Sequence, residues 1–194
     1  SETLFDQSED WGDLDYGPIV NYSQINDPQK PEKEIARLPY PLFKPELEWE
    51  LKGEVNGIKV VDDFAHHPTA IKLAIAALRQ RYAGARLWVL FEPRSNTTKR
   101  SVFQKELAES LALADLAVVA AISDLHKVPE AERLNPDRLA QDIKDFGGTG
   151  WYLPGVPEIV DLVVEKAQPG DVVAVLSNGG FGGIHQKLLD RLAK

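Results

Sequence analysis

The chain has 194 residues, 43% of them hydrophobic and 27% charged, with a net charge of −8, a balance normal for a globular protein. That acidic balance argues against general nucleic-acid binding, which needs clustered Lys and Arg, and no apolar run approaches the roughly 20 residues that span a bilayer. Cysteine is absent, which removes disulfides and thiolate metal sites and fits a reducing, cytoplasmic setting.

Residues 1–45 read as an irregular arm, a linker or the remnant of a preceding domain. The stretch is acidic and rich in turn formers, and Pro39, Pro41 and Pro45 stiffen its end. Residues 46–194 read as one α/β domain. "LEWELKGEVNGIKVVDDF" predicts a β-hairpin turning at Asn56-Gly57, the strongest short turn signal. "PTAIKLAIAALRQRY" places Ile71, Ile75 and Leu78 on one helical face, with Pro68 in the first turn. "ARLWVLFEP" is a continuous apolar strand of the kind covered on both faces. A helix over "RSVFQKELAESLALA", a strand over "DLAVVAAI" and a helix over "NPDRLAQDIKDF" follow, the last with Asn135 as its cap. "VPEIVDLVVEKAQ" is helical, "PGDVVAVLS" is the last core strand, and "GGIHQKLLDRLAK" is the closing helix. Strands alternating with helices imply a doubly wound, mostly parallel sheet with helices on both faces, preceded by the hairpin.

In such sheets ligands bind at the carboxyl ends of the strands. Three motifs fall on that rim. In "DDFAHHP", extended backbone sends Asp62 and Asp63 to opposite sides, and His66 and His67 likewise. The four groups therefore do not converge on a metal, and only His126 and His185 remain as further imidazoles. No metal site is expected here. Either Asp62 caps backbone amides and one histidine is packed, or a carboxylate binds ribose hydroxyls with a histidine lining a nucleotide pocket. "FEPRSNTTKR" sets three cations between a strand end and a helix start, which favours an anion. The plainer alternative is a solvated loop in which Thr98 caps the next helix. "LSNGGFGGIHQKLL" has four glycines within five residues. It is either a tight turn where backbones cross or an amide cradle for a carboxylate, with Ser177 and Asn178 adding contacts. Neither a G-x-G-x-x-G order nor a G-x-x-x-x-G-K-[ST] phosphate loop is present.

In order and spacing, DDFAHHPTAI, EPRSNTTKR and SNGGFGGIHQKLL resemble the C-terminal domain of the Mur ligases, over roughly residues 47–194. Within that family the second and third motifs are most similar to the branch that joins UDP-N-acetylmuramate to the L-Ala-γ-D-Glu-meso-diaminopimelate tripeptide in peptidoglycan recycling. DDFAHHPT alone also fits the relative that adds L-alanine. The resemblance implies an ATP-dependent amide ligase working through an acyl phosphate, with this domain accepting the amino substrate. ATP and Mg2+ are the implied cofactors, held mainly by a central domain, and a further N-terminal domain holds the UDP-sugar. The implied roles are ribose-edge binding for Asp63 and His66, and catalytic charge stabilisation for Arg94 and Lys99. Asn96, Thr97, Ser177, Asn178, Gly179 and Gly180 are implied to meet the peptide. Glu48-Trp49 departs from the arginine pair common before the first hairpin strand. Without the other two domains the chain is expected to be inactive, and a stand-alone nucleotide- or peptide-binding module is the alternative.

Overall fold

The computed structural model describes residues 49–123 and 128–194. The predicted arm and His126 lie outside the described residues. Within the unit Leu47–Lys194, the elements run β1 (Glu50–Val55), β2 (Ile58–Asp63), α1 (Pro68–Arg81), β3 (Leu87–Phe91), α2 (Gln104–Leu111) and β4 (Leu116–Ala120). They continue with α3 (Pro136–Asp145), β5 (Gly150–Leu153), α4 (Val156–Lys166), β6 (Val172–Leu176) and α5 (Ile184–Leu192).

The hairpin forms as its turn residues require. Asn56 and Gly57 take φ values of 52° and 76°, positive at both central positions, and Val55 pairs with Ile58 across them. Pro68 opens α1, where a missing N–H costs nothing. Asn135 caps α3 by accepting the Arg138 amide at 3.0 Å.

Among the described residues six strands form one sheet in the order β1-β2-β6-β3-β4-β5. Only the β1–β2 pair is antiparallel; β2, β6, β3, β4 and β5 run parallel. The side-chain period of two splits the core. Val61, Val89, Phe91, Val119, Ala174 and Leu176 face α1, α2 and α3 on one side. Val60, Trp88, Leu90, Val118, Val173 and Val175 face α4 and α5 on the other. The doubly wound expectation is met, with β5 added to the sequence reading. The segment "GTGWYLPG" reads as turn residues, and its four-residue strand at the sheet edge has little room for a pattern. Gly150 is needed there, because a Cβ would lie 2.6 Å from the Ala140 carbonyl oxygen of α3.

The helix expected over residues 100–114 is shorter than predicted. It opens as a 3-10 turn at Ser101–Phe103, and α2 proper covers Gln104–Leu111. No described helix is long and apolar enough to cross a membrane.

The order of strands decides where a ligand can sit. β2 and β3 lead to α1 and α2 on the first face, whereas β6, inserted between them, leads to α5 on the second. The connections leave β6 and its neighbours in opposite directions, which opens a crevice at the carboxyl end of β6.

Candidate active site

Three strand ends are laced together at that crevice. The Ser177 amide donates to the Asp63 carbonyl at 3.2 Å, and the Glu92 amide donates to the Leu176 carbonyl at 3.0 Å. The DDFAHHP, FEPRSNTTKR and SNGGFGG segments are thereby neighbours in space, as the rim expectation required.

The two aspartates of β2 part company, because consecutive residues of a strand face opposite ways. Asp63 turns to the α1 side, and its Oδ1 accepts the Ala65 amide at 2.7 Å. Asp62 turns to the α5 side, with Oδ1 at 3.0 Å from Nε2 of His185. That pair has the distance of an ion contact but lacks hydrogen-bond alignment. The backbone-capping role weighed for Asp62 therefore falls to Asp63. His67 stands at the N-cap of α1 without a side-chain cap bond and packs edge-on to Phe103, ring centroids 5.0 Å apart. His66 Nδ1 lies 2.9 Å from the Phe64 carbonyl. A carbonyl only accepts, so Nδ1 carries the proton, and in the neutral ring Nε2 is an acceptor. Phe64 itself is exposed and meets the His66 ring edge-on at 5.2 Å.

After β3 the chain forms a self-closed turn. Ser95 Oγ accepts the Thr98 amide at 3.1 Å and lies 2.8 Å from Thr98 Oγ1, while the Lys99 amide returns to the Ser95 carbonyl at 3.1 Å. Thr98 is thus spent inside the turn and does not cap α2, because the backbone reaches Arg100 before any helical turn begins. Asn96 and Thr97 are exposed at the turn. Lys99 is only 6% exposed, and its carbonyl accepts the Leu134 amide at 2.9 Å. That contact ties Lys99 to the loop before α3, reinforced by the Arg100–Glu132 ion pair. Of the two cations expected to act, Arg94 is the one in contact with the glycine turn.

The contact is close. A Cβ built on Gly179 would lie 2.7 Å from Cζ and Nη1 of Arg94, so the guanidinium lies against the bare glycine backbone. Close approach is the reason for glycine at 179. Positive φ is required instead at Gly182 (58°) and Gly183 (70°), where the chain bends into α5. Ser177 is buried; its Oγ accepts the Gly179 amide at 3.0 Å and donates to Glu92 Oε2 at 2.5 Å. Asn178 Oδ1 is buried with no partner among the described residues. Gly180 is open, with nothing within 4 Å of a built Cβ. Arg94, Ser177, Asn178 and Gly179 come together; Lys99 joins the loop before α3. Glu92 was missed in the sequence, although an acid directly after a continuous apolar strand was visible.

The arrangement offers a guanidinium and a hydroxyl-braced turn on one rim, beside a carboxylate suited to hydroxyl donors at Asp63. It is matched to a ligand that carries both anionic and hydroxyl groups. The family model for the Mur ligase, glutamate ligase domain matches residues 49–179. The chain belongs to the Mur ligase family, through its C-terminal domain. The relative from Escherichia coli (strain K12), UDP-N-acetylmuramate–L-alanyl-γ-D-glutamyl-meso-2,6-diaminoheptandioate ligase, is 45% identical over 146 residues, 75% of this chain and 30% of the relative. A UDP-N-acetylmuramate–L-alanine ligase from Chloroflexus aggregans is 32% identical over 150 residues, 75% of this chain and 30% of the relative. Among solved structures, the murein peptide ligase of Psychrobacter arcticus 273-4 is 38% identical with a TM-score of 0.62, over 75% of this chain and 29% of that one. A domain of the corresponding ligase from Haemophilus ducreyi is 37% identical with a TM-score of 0.59, over 74% of this chain and 98% of that one. This Mur ligase domain spans about 30% of the length of the curated relatives it matches.

Proposed function

We propose that this domain accepts the amino substrate in a cytoplasmic, ATP-dependent ligase that joins UDP-N-acetylmuramate to L-Ala-γ-D-Glu-meso-diaminopimelate in peptidoglycan recycling. The observation that carries this reading is the contact of the Arg94 guanidinium with Gly179 at the Ser177–Gly180 turn. It sets a planar, two-pronged anion receptor on the rim where a doubly wound sheet takes its ligand. The tripeptide brings several carboxylates, and backbone left bare at Gly179 and Gly180 lets an extended substrate approach closely.

ATP, when bound, supplies the phosphoryl group that activates the muramoyl carboxylate as an acyl phosphate. On this chain the residues that fit it are Asp63, whose carboxylate oxygens accept hydroxyl donors such as those of ribose, and His66 beside it. Mg2+ is assigned with the phosphates to the central domain. Arg94 and the turn orient the incoming peptide and stabilise negative charge near the reacting carbonyl. Asn96 and Thr97 offer exposed polar groups beside them, and Lys99 adds a cation to the same loop.

The test is a product assay on the full-length ligase that carries this domain, supplied with ATP, UDP-N-acetylmuramate and either the tripeptide or L-alanine. Mass spectrometry should find the tripeptide adduct. Formation of the L-alanine adduct alone would move the protein to the L-alanine-adding branch.

A further inference from the structure

One charge on the carboxyl rim has no role in the proposed function. Glu92 directly follows β3, and its backbone N–H, donating to the Leu176 carbonyl, pins it between the ends of β3 and β6. Its Oε2 accepts the Ser177 hydroxyl at 2.5 Å, the separation of a charge-assisted O–H···O contact. Ser177 Oγ already accepts the Gly179 amide at 3.0 Å, and of the two acceptors open to its proton, Glu92 Oε2 at 2.5 Å is nearer than the Gly179 carbonyl at 3.3 Å. The residue is partly buried, and its second oxygen, Oε1, accepts no hydrogen bond among the described residues.

Arg94 lies two positions further on, yet no ion pair links the two side chains. Each is held by the glycine turn instead, the guanidinium against Gly179 and the carboxylate by Ser177. The carboxylate has no cation partner among the described residues, and its Oε1 is open to a ligand that brings one. Two opposite charges kept apart on one turn match a zwitterion. The amino substrate is one: its α-amino group, with an ordinary pKa near 8, is an ammonium with three donors, and the rest of the peptide carries carboxylates.

We propose that Glu92 binds the amino group of the amino substrate, in the ammonium form in which it arrives and before it loses a proton to react, through Oε1 while Ser177 holds Oε2. This rests on the proposed function. The carboxylate selects for an amine-bearing ligand and fixes where the nitrogen lies relative to the turn, and Arg94 takes an anionic group of the same molecule.

The experiment is calorimetric titration of the full-length ligase, loaded with UDP-N-acetylmuramate and a non-hydrolysable ATP analogue. Two ligands are compared: the tripeptide, and its analogue with propionyl in place of L-alanyl, which lacks only the reacting amine. The wild type should bind the tripeptide about tenfold or more tightly than the analogue, the range for a hydrogen bond between charged groups. Glu92→Gln should lose about that factor for the tripeptide and stay within about twofold for the analogue. A structural role for Glu92 predicts equal losses for both ligands, and that result overturns the proposal. Equal wild-type affinities overturn it without any variant, so a Glu92→Gln protein that does not fold leaves the test intact. If the wild type forms no tripeptide adduct at all, the proposed function falls and this proposal with it. Adduct formation with equal affinities removes this proposal alone.

Discussion

The two ends of β3 and β6 carry charge in opposite ways. At their amino ends, Arg86 and Asp171 are locked together: Arg86 Nη2 donates to Asp171 Oδ2 at 2.7 Å and Nε to Oδ1 at 3.0 Å. Trp88 Nε1 and the Gln168 amide donate to the same carboxylate, at 2.8 and 3.0 Å, and Asp171 is 3% exposed. At their carboxyl ends, Glu92 and Arg94 stand two positions apart without pairing, and Asn178 Oδ1 is buried without a donor among the described residues. A closed network holds the two strands in register, whereas charges without a partner are open to a ligand. The same sheet thus closes its polar groups on one another at one rim and leaves them open at the other, where the proposed function puts the ligand.

The sharpest way to break this contrast is Asp171→Ala. It leaves Trp88 without its acceptor and Arg86 with the Lys166 carbonyl alone, and should cost about 2 kcal/mol in urea unfolding of this chain, below the scale for a fully buried pair because Arg86 is partly open to solvent. In the full-length ligase the folded fraction should keep its kcat/KM. A fall in kcat/KM without a loss of stability would erase the distinction between the rims.

Acid sharpens the same point. Burial alone would raise the Asp171 carboxyl, but the hydrogen bonds from Arg86, the Gln168 amide and Trp88, with the Arg86 charge, outweigh it and hold it below the usual range. A depressed folded-state pKa contributes stability that is fully present above the unfolded value near 4 and is lost as pH falls through the folded value. The urea midpoint of the wild type should therefore drop below about pH 4 more steeply than that of Asp171→Asn. Parallel curves would show that the carboxylate carries no pH-linked stability.

At the other rim, Gly179→Val acts on a flexible neighbour. The new Cβ would meet the end of the Arg94 side chain, which can swing away, so stability should change by less than about 1 kcal/mol. The displaced guanidinium should lower kcat/KM for the tripeptide by about tenfold or more. Loss of fold with intact kinetics in the remaining enzyme would make position 179 a structural one. Asp63→Ala gives the smallest effect, about 1 kcal/mol, felt in ATP use more than in tripeptide use. An unchanged KM for ATP beside a lowered Tm would give Asp63 a structural role, as in its bond to the Ala65 amide.

Local chemistry was legible in the sequence. Asn56-Gly57, Pro68 and Asn135 fix their elements through single-residue preferences, and the structure has each in place. The parting of Asp62 and Asp63 followed from the period of a strand, although which of them bonds to the backbone depended on where α1 packs. The insertion of β6 between β2 and β3 was not readable, because an apolar strand buried on both faces carries no mark of its neighbours. For the same reason the contact of Arg94 with Gly179, 85 positions apart in the chain, appeared only with the fold. β5 escaped because its four residues lie between glycine-rich and proline-containing turns.

Arg94→Lys in the full-length ligase tests the central claim most directly. Lysine keeps the charge but cannot offer two parallel donors. With the fold confirmed by circular dichroism and Tm within a few degrees of wild type, kcat/KM for the tripeptide should fall by about tenfold or more. Wild-type kcat/KM in that variant would contradict the assignment of this rim to the amino substrate.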